Sequence, residues 1–180
     1  MQRKWNFMPN NFWKDKKVLI TGGTSFVGKN LTRKLDELGA ESRVFGSKQY
    51  DLTNADQANA VMNEGTKYDF IVHMAALQHA ADWPMHHTAE QFHVNGLIQI
   101  NTLEAWRKFQ PQAKMIAVGS SCVYPSEIPI IAEKDIDQGH LHDSVYAYGA
   151  TKRFLGIGVR AYKDQHKLRG IVPTFATLYG

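Results

Sequence analysis

The sequence feature that most constrains the fold is the segment Lys17–Gly28, which reads KVLITGGTSFVG. A short apolar run, Val18–Ile20, is typical of a buried parallel strand, and an amphipathic pattern begins directly after the glycines. Strand, tight turn and helix in this order place backbone N–H groups and a helix N-terminus against a pyrophosphate. Gly22 would permit the sharp turn, and Gly28 would let the helix pack closely on the strand. The segment predicts a dinucleotide-binding turn, with an ordinary strand–helix turn as the alternative.

Strand-like and helix-like segments alternate along the rest of the chain. Strands that alternate with helical patterns indicate a parallel sheet with helices on both faces. We therefore expect a Rossmann-type, doubly wound α/β fold. Further strands are predicted at 42–46, 69–76, 114–119 and 170–177, and helices at 27–38, 54–64, 88–109 and 145–166.

Length and composition fit one soluble domain with a sizeable core. The chain has 180 residues, of which 43% are hydrophobic and 21% charged, and a net charge of +4. The charges are scattered, so neither a nucleic-acid partner nor a membrane partner is expected, whereas an acidic small molecule such as a phosphorylated cofactor fits. We expect an N-terminal extension at 1–16 and a nucleotide-binding domain at 17–180.

The single cysteine, Cys122, excludes an intramolecular disulfide framework and favours a reducing compartment. No apolar stretch has membrane-spanning length, and residues 1–17 lack the apolar core of a secretory signal. The expected location is the cytoplasm. The extension carries aromatic side chains that we expect to pack on the domain or on a partner. They are Trp5, Phe7, Phe12 and Trp13.

Tyr148 and Lys152 stand four residues apart, and hence on one face of the predicted helix. An ammonium group there would favour the phenolate and lower the proton affinity of the tyrosine, which makes it an acid/base near neutral pH. A surface Tyr–Lys pair is the alternative. Ser120 follows a predicted strand, at the carboxyl edge of the sheet where ligands bind in open α/β folds.

Together these motifs resemble the extended short-chain dehydrogenase/reductase family, the NAD-dependent epimerase/dehydratases. The resemblance rests on the glycine turn, Ala75-Ala76, Asn95, Ser120 and the Tyr148/Lys152 pair, in that order. Within the family, three segments look most similar to the GDP-fucose synthases. They are Asp51–Thr53, Gly119–Pro125 and Pro129–Tyr148. Those enzymes are bifunctional 3,5-epimerases and 4-reductases that act on a GDP-4-keto-6-deoxy sugar with NADPH.

The resemblance implies a role for each catalytic candidate. Tyr148 would donate a proton to the C4 oxygen as hydride arrives, and Ser120 would hydrogen-bond that oxygen. Lys152 would bind the nicotinamide ribose and tune Tyr148. Cys122 would be the acid/base of epimerisation, although a small buried residue at a strand end is the alternative. A homodimer is expected by analogy with the family.

The choice of cofactor follows from the end of the second predicted strand. An NAD-selective site usually has an acidic residue there, whereas this chain has Ser47 and Lys48. Both could meet a 2′-phosphate, with Arg43 a weaker candidate, so NADP is expected and NAD remains possible; alternatively, Lys48 is a solvated loop lysine. The cofactor-binding candidates are Gly22, Thr24, Ser25, Phe26, Val27, Gly28, Ser47, Lys48, Asp51, Leu52, Ala75, Ala76, Leu77, Asn95, Tyr148 and Lys152.

The sequence also departs from the family pattern. Ser25 stands where the fingerprint has a glycine, and its hydroxyl would shift the turn or donate to phosphate. Leu77–Trp83 replaces a substrate-facing segment, which leaves the sugar open. The chain ends where the family continues into a smaller substrate domain, which we expect to be absent. The histidines lack zinc-site spacing, so no metal is expected.

Two rival functions remain. One is an NAD-dependent nucleotide-sugar 4-epimerase or 4,6-dehydratase, which recycles its cofactor within one turnover. The missing acidic residue near Gly46 argues against it. The other is a non-catalytic dinucleotide-binding module, against which the retained Tyr148 and Lys152 argue.

Overall fold

The computed structural model of the protein describes residues 11–79 and 81–179. Within these residues, five strands form one sheet in the order β2-β1-β3-β4-β5, and every neighbouring pair is parallel. The strands are β1 (Lys17–Thr21), β2 (Glu41–Phe45), β3 (Phe70–His73), β4 (Lys114–Ala117) and β5 (Gly170–Ile171). The helices are α1 (Phe26–Glu37), α2 (Ala55–Met62), α3 (Trp83–His86), α4 (Thr88–Phe109) and α5 (Tyr146–His166).

Helices pack on both faces of the sheet. Successive strand residues point to opposite faces, so the apolar strands supply side chains to a core on each side. On one face, Leu19, Ile71 and Met115 pack in a core with α2, α4 and α5. On the other face, Val18, Ile20 and Val72 pack with Leu35 of α1. This arrangement confirms the predicted doubly wound α/β fold.

The last predicted strand is much shorter than expected, since β5 ends at Ile171 instead of Thr177. Pro173 has no N–H to donate to a ladder, which interrupts the regular strand. Pairing with the chain after β4 nevertheless continues, because the Gly119 N–H donates to the Pro173 carbonyl at 2.9 Å. The Ser121 N–H likewise donates to Phe175 at 2.9 Å, so this segment still runs along the sheet edge.

The described part of the N-terminal extension packs on the sheet. The rings of Phe12 and Trp13 lie 6.0 and 4.9 Å from that of Phe70, centroid to centroid. The expected packing on the domain is thus confirmed for these two aromatics, whereas Trp5 and Phe7 lie outside the described residues. None of the helices in residues 11–79 and 81–179 has the length and apolarity needed to cross a bilayer. The cytoplasmic location stays a prediction.

Candidate functional site

The glycine turn lies between β1 and α1, at the carboxyl edge of the sheet. Gly22 has φ +70°, and a Cβ there would lie 2.8 Å from the Ala75 backbone nitrogen. Both the conformation and the lack of space therefore require glycine at this position. A Cβ at Gly28 would overlap the backbone of Gly23, so this glycine lets the helix begin directly against the turn. The predicted strand–turn–helix unit is confirmed.

Ser25, which replaces a glycine of the fingerprint, is the N-cap of α1. Its φ of −71° suits any residue, so the substitution causes no backbone strain. Its Oγ accepts a hydrogen bond from the Gly28 N–H at 3.2 Å. The first turn of α1 contains no acidic residue, which leaves the positive end of the helix open to an anion.

A cavity of about 330 Å³ opens beside this turn, between the ends of β1, β2 and β3. We call it the cofactor cleft. This edge is the switch point of the sheet, since the neighbouring strands β1 and β3 lead to helices on opposite faces. Nine predicted cofactor residues line the cleft: Gly22, Thr24, Ser25, Ser47, Asp51, Leu52, Ala75, Ala76 and Leu77.

The cleft is also lined by residues that are not among the predicted cofactor residues. They are Phe45, Gly46, Tyr50, Thr53, Met74, Val94 and Ile98. Gly46, Tyr50, Thr53 and Met74 adjoin predicted members in the sequence and Phe45 lies two residues from Ser47, which is a signal that could have identified them. Val94 and Ile98 come from α4, and their spacing of four residues marks only a helix face.

Asn95 stabilises one wall of the cleft by hydrogen bonds to its backbone. This fully buried side chain accepts a hydrogen bond from the Leu77 N–H at 2.8 Å and donates to the Leu77 carbonyl at 3.0 Å. The amide of Asn95 thus contacts the backbone of a residue that lines the cleft. Asn95 would therefore contribute to cofactor binding only indirectly, through that residue. Phe26, Val27, Gly28, Lys48, Asn95, Tyr148 and Lys152 are the cofactor candidates that do not line this cavity.

The three candidates for binding a 2′-phosphate lie in or directly after β2, and the structure distinguishes them by what their side chains contact. Arg43 donates to both carboxylate oxygens of Glu64, at 2.8 and 3.1 Å. Tyr50 donates to the same carboxylate at 2.7 Å, and these bonds hold the pKa of Glu64 below its usual range. Arg43 is therefore already paired, whereas Ser47 lines the cleft and Lys48 is exposed next to it.

The four catalytic candidates come from two neighbouring elements. Ser120 and Cys122 follow β4, where Ser120 Oγ accepts from the Cys122 N–H at 3.2 Å. Tyr148 and Lys152 lie on α5, which packs against the Ser121–Val123 turn. The approach is close, because a Cβ at position 149 would overlap the Cys122 carbonyl oxygen. The fold thus brings the predicted residues of both segments to one place.

The electrostatics differ from the expectation that Lys152 lowers the pKa of Tyr148. Burial raises the pKa of Tyr148 to about 12, and the nearby Cys122 acts in the same direction. Lys152 Nζ donates to the Val118 carbonyl at 2.7 Å and lies 5.6 Å from the centre of the Tyr148 ring. Burial lowers the pKa of Lys152 itself to about 8. The prediction that Tyr148 has a lowered pKa is therefore wrong, since burial and Cys122 both raise it.

A second cavity, of about 460 Å³, lies along α5. It is larger than the cofactor cleft, and Lys152, Gly119 and Thr174 are among its lining residues. The Lys152 side chain therefore borders this cavity instead of the cofactor cleft. Of these two cavities, only the smaller cleft is lined by residues of the glycine turn and the N-cap of α1, so it is the one of the two that fits a dinucleotide.

Comparisons with known proteins match most of this chain. Residues 18–180 match the model of the NAD dependent epimerase/dehydratase family. A probable GDP-L-fucose synthase of Drosophila melanogaster is 32% identical over 155 residues, which cover 84% of this chain and 48% of that protein. A GDP-L-fucose synthase of Dictyostelium discoideum is 28% identical over 171 residues, or 92% of this chain and 52% of that protein.

Solved structures show the same fold. A GDP-L-fucose synthetase from Naegleria fowleri bound to NADP superposes with a TM-score of 0.79 and 26% identity, covering 93% of this chain and 55% of that one. A GDP-mannoheptose C4 reductase from Campylobacter jejuni with NADP bound gives a TM-score of 0.84 at 23% identity, covering 96% and 54%. This chain spans about half the length of the curated relatives it matches.

Proposed function

Because the chain belongs to the NAD dependent epimerase/dehydratase family, we propose that it is the cofactor-binding part of an NADP-dependent nucleotide-sugar reductase/epimerase. Within the proposal, 1–16 form an extension and 17–180 the cofactor domain, which agrees with the start of β1 at Lys17. The observation that carries the proposal is the cofactor cleft, where the glycine turn meets an α1 N-terminus without acidic residues.

The cleft fits a dinucleotide by its own geometry. The turn at Gly22 and the backbone of Ala75 approach so closely that no side chain fits between them, which leaves backbone groups to face a ligand. The N-terminus of α1 would bind the diphosphate, with Ser25 Oγ already engaged by Gly28 and its hydroxyl proton free to donate. Ser47 and Lys48 would hold the 2′-phosphate, since Arg43 is paired with Glu64.

We propose that the catalytic residues act on a ketone at C4 of a GDP-linked 4-keto-6-deoxy sugar. When bound, the nicotinamide supplies the hydride that reduces this ketone. Tyr148 donates its phenolic proton to the resulting oxygen, and the Ser120 hydroxyl hydrogen-bonds that oxygen. Lys152, now on the Val118 carbonyl, has two further N–H groups with which to bind the ribose.

Cys122 is proposed as the acid/base of 3,5-epimerisation. Its thiol is partly exposed and lies close enough to influence the pKa values of both Tyr148 and Lys152. A group at this point could exchange a proton with a sugar carbon next to the ketone, whose acidity the carbonyl raises. Epimerisation and reduction would then share one substrate position.

The sugar is expected to be selected partly by Leu77–Trp83. α3, which begins in this segment, packs against Asp143–Val145, the turn that leads into the Tyr148 helix. The Trp83 ring stacks on His87 with centroids 4.4 Å apart and planes 5° apart. This segment replaces the family's usual one, so we propose that the substrate sugar differs in the groups that it presents here.

A homodimer through α4 and α5 is part of the proposal. Both helices expose large apolar side chains, with Phe92 57%, Ile100 48% and Ile157 58% exposed. Exposed apolar side chains on adjacent helices are typical of an association surface. Ile100→Asp should shift the dimer towards monomer in sedimentation, whereas Ile130→Asp, at a site 83% exposed outside both helices, should not. A monomeric wild type would contradict the dimer.

The test of the cofactor proposal is a fluorescence titration of the purified chain with NADPH and with NADH. Preferential binding of NADPH is expected from the Ser47–Lys48 corner, and failure to bind either would overturn the assignment. NAD that remains bound through purification would favour the 4-epimerase or dehydratase alternative. NADPH binding without oxidation by any GDP-keto sugar would favour a binding module.

A further inference from the structure

Thr21 and His73 form the last paired positions of β1 and β3 before the two chains separate. Residues paired in register on parallel strands point to the same face, and these two side chains are 0% and 1% exposed. Thr21 Oγ1 lies 2.8 Å from His73 Nδ1. A buried hydrogen bond therefore joins the strands at the point where the cofactor cleft opens.

The same hydroxyl serves the backbone of the next turn. The N–H groups of Met74 and Ala75 each donate to Thr21 Oγ1 at 3.2 Å. The Met74 N–H is shared with the Thr21 carbonyl, also at 3.2 Å. Thr21 Oγ1 is thus the centre of three hydrogen bonds.

The number of protons and lone pairs at this centre favours one direction for the hydrogen bond between Thr21 and His73. A threonine hydroxyl has one proton and two acceptor sites. Two backbone N–H groups are directed at Thr21 Oγ1, one of them shared with the Thr21 carbonyl, which favours a Thr21 proton that points to His73 Nδ1. An imidazole that accepts at Nδ1 carries its proton on Nε2 when neutral, and in this structure the buried Nε2 has no hydrogen-bond partner among the described residues. The opposite direction would direct three protons at one oxygen.

We propose that His73 is a positioning residue of the cofactor cleft, which acts as the neutral Nε2–H tautomer by accepting the Thr21 hydroxyl proton. Its Nδ1 lone pair orients the hydroxyl so that Oγ1 receives the Met74 and Ala75 N–H groups. An alkyl side chain at position 73 would leave the hydroxyl free to rotate.

The hydrogen bonds of Thr21 and His73 influence the lining of the cofactor cleft through the contact between Ala75 and Gly22. Met74, Ala75 and Gly22 all line the cleft, and a Cβ at Gly22 would be 2.9 Å from the Ala75 Cα. A small shift of Ala75 would therefore close or widen the turn that faces the diphosphate. Two surroundings keep the imidazole neutral, since burial and the nearby Lys152 charge lower the pKa of His73 to about 3.

The tautomer can be tested on the cofactor-free chain by ¹⁵N NMR of the histidine rings, with His73→Asn to assign the signal. We expect one resolved ring with an acceptor Nδ1 and a protonated Nε2 that stays unchanged from pH 8 to pH 5. An Nδ1–H tautomer or a titrating ring would overturn the proposal. This measurement does not depend on the proposed function.

The positioning role rests on the proposed function and is tested by NADPH and NADH affinity. Thr21→Val should weaken both cofactors by about tenfold, because the Ala75 N–H loses its acceptor and the Met74 N–H keeps only the Thr21 carbonyl, and Thr21→Ser should restore binding to within about twofold. Thr102→Val is the matched control, since Thr102 is a buried threonine of α4 outside the cleft lining. Equal affinities for Thr21→Val and Thr102→Val would overturn the role.

A second pair of variants covers the case in which Thr21→Val does not fold. His73→Asn retains an acceptor near the Nδ1 position and should keep NADPH affinity within a few-fold, whereas His73→Leu should lose about tenfold. Similar affinities for the two would contradict the proposal. If the folded wild type binds neither cofactor, the proposed function fails while the NMR result still decides the tautomer.

Discussion

Lys152 Nζ donates to the Val118 carbonyl at 2.7 Å, so the buried ammonium of α5 is tied to the chain directly after β4. This bond holds α5 against the sheet, yet Lys152 is only 4% exposed and its ammonium has no carboxylate partner among the described residues. A buried charge of this kind lowers the stability of the folded chain. Buried charges that are kept despite this cost are typical of functional sites.

Lys152→Met should therefore stabilise the chain at pH 7. The pKa of Lys152 falls from 10.5 to about 8 on folding, so the unfolded chain binds more protons between these values and stability rises with pH there. At pH 7 the full penalty of about 3 kcal/mol applies, and loss of the Val118 bond offsets about 1 kcal/mol of the gain. Urea unfolding should show a net gain of about 2 kcal/mol that shrinks towards pH 10; equal stability at pH 7 would contradict it.

His73 should make the chain sensitive to acid. Its pKa falls from 6.5 in the unfolded chain to about 3 in the folded one, so below pH 6.5 only the unfolded chain takes up this proton. The free energy of unfolding should drop by about 1.2 kcal/mol as the pH falls from 6 to 5. In His73→Asn this component of the slope should be absent. An unchanged slope in that variant would show that other groups cause the acid sensitivity.

Asn95→Ala should weaken the cleft wall. The variant leaves the Leu77 N–H and carbonyl without their side-chain partner, which should cost about 2 kcal/mol or more in unfolding free energy. Affinity for NADPH and NADH should fall together, because the wall carries no feature that distinguishes them. Asn101→Ala, which removes bonds from an α4 amide to the Leu52 and Thr53 carbonyls, is a comparison at another part of the cleft lining.

Lys48→Ala should weaken NADPH far more than NADH, because only NADPH carries the 2′-phosphate. Arg43→Ala should instead lower stability by removing the Glu64 pair and leave the ratio of the two affinities unchanged. Parallel fluorescence titrations of the two variants give both ratios. If the ratio moves in Arg43→Ala and stays constant in Lys48→Ala, the assignment of the phosphate contact is reversed.

Tyr148→Phe should abolish hydride transfer and leave NADPH affinity within a few-fold, because the missing hydroxyl acts on the substrate oxygen. The measurement is NADPH oxidation in a preparation that reduces a nucleotide-sugar ketone, together with a cofactor titration. Ser120→Ala should retain part of the rate, since it removes a hydrogen bond and no proton donor. Full activity of Tyr148→Phe would remove Tyr148 from the mechanism.

Local patterns were enough to predict most of the fold. The helix predicted at 88–109 is found as α4 with those bounds, and the switch from an apolar run to an amphipathic pattern correctly marked β1 and α1. The strand predicted at 170–177 was too long, because its apolar residues continue through Pro173, which has no N–H to donate.

The site was harder to predict wherever it depends on distant partners. The motif residues near Gly22 and Ala75 were identifiable because their spacing reflects local turns. The pairing of Asn95 with Leu77, 18 residues away, and of Arg43 with Glu64, 21 away, is set by packing that no local pattern records. The predicted lowering of the Tyr148 pKa was wrong for the same reason, since the burial that raises this pKa depends on the whole fold.

The Ser25 cap has a consequence for the thermodynamics of ligand binding. A glycine in this place would leave the turn flexible in the free chain, whereas the bond to the Gly28 N–H already holds it in shape. Less conformational entropy is then lost when an anion docks at the end of α1. At this end of the cleft, the turn is therefore ordered when the chain folds. A more flexible glycine loop would lose this conformational entropy only when the anion binds.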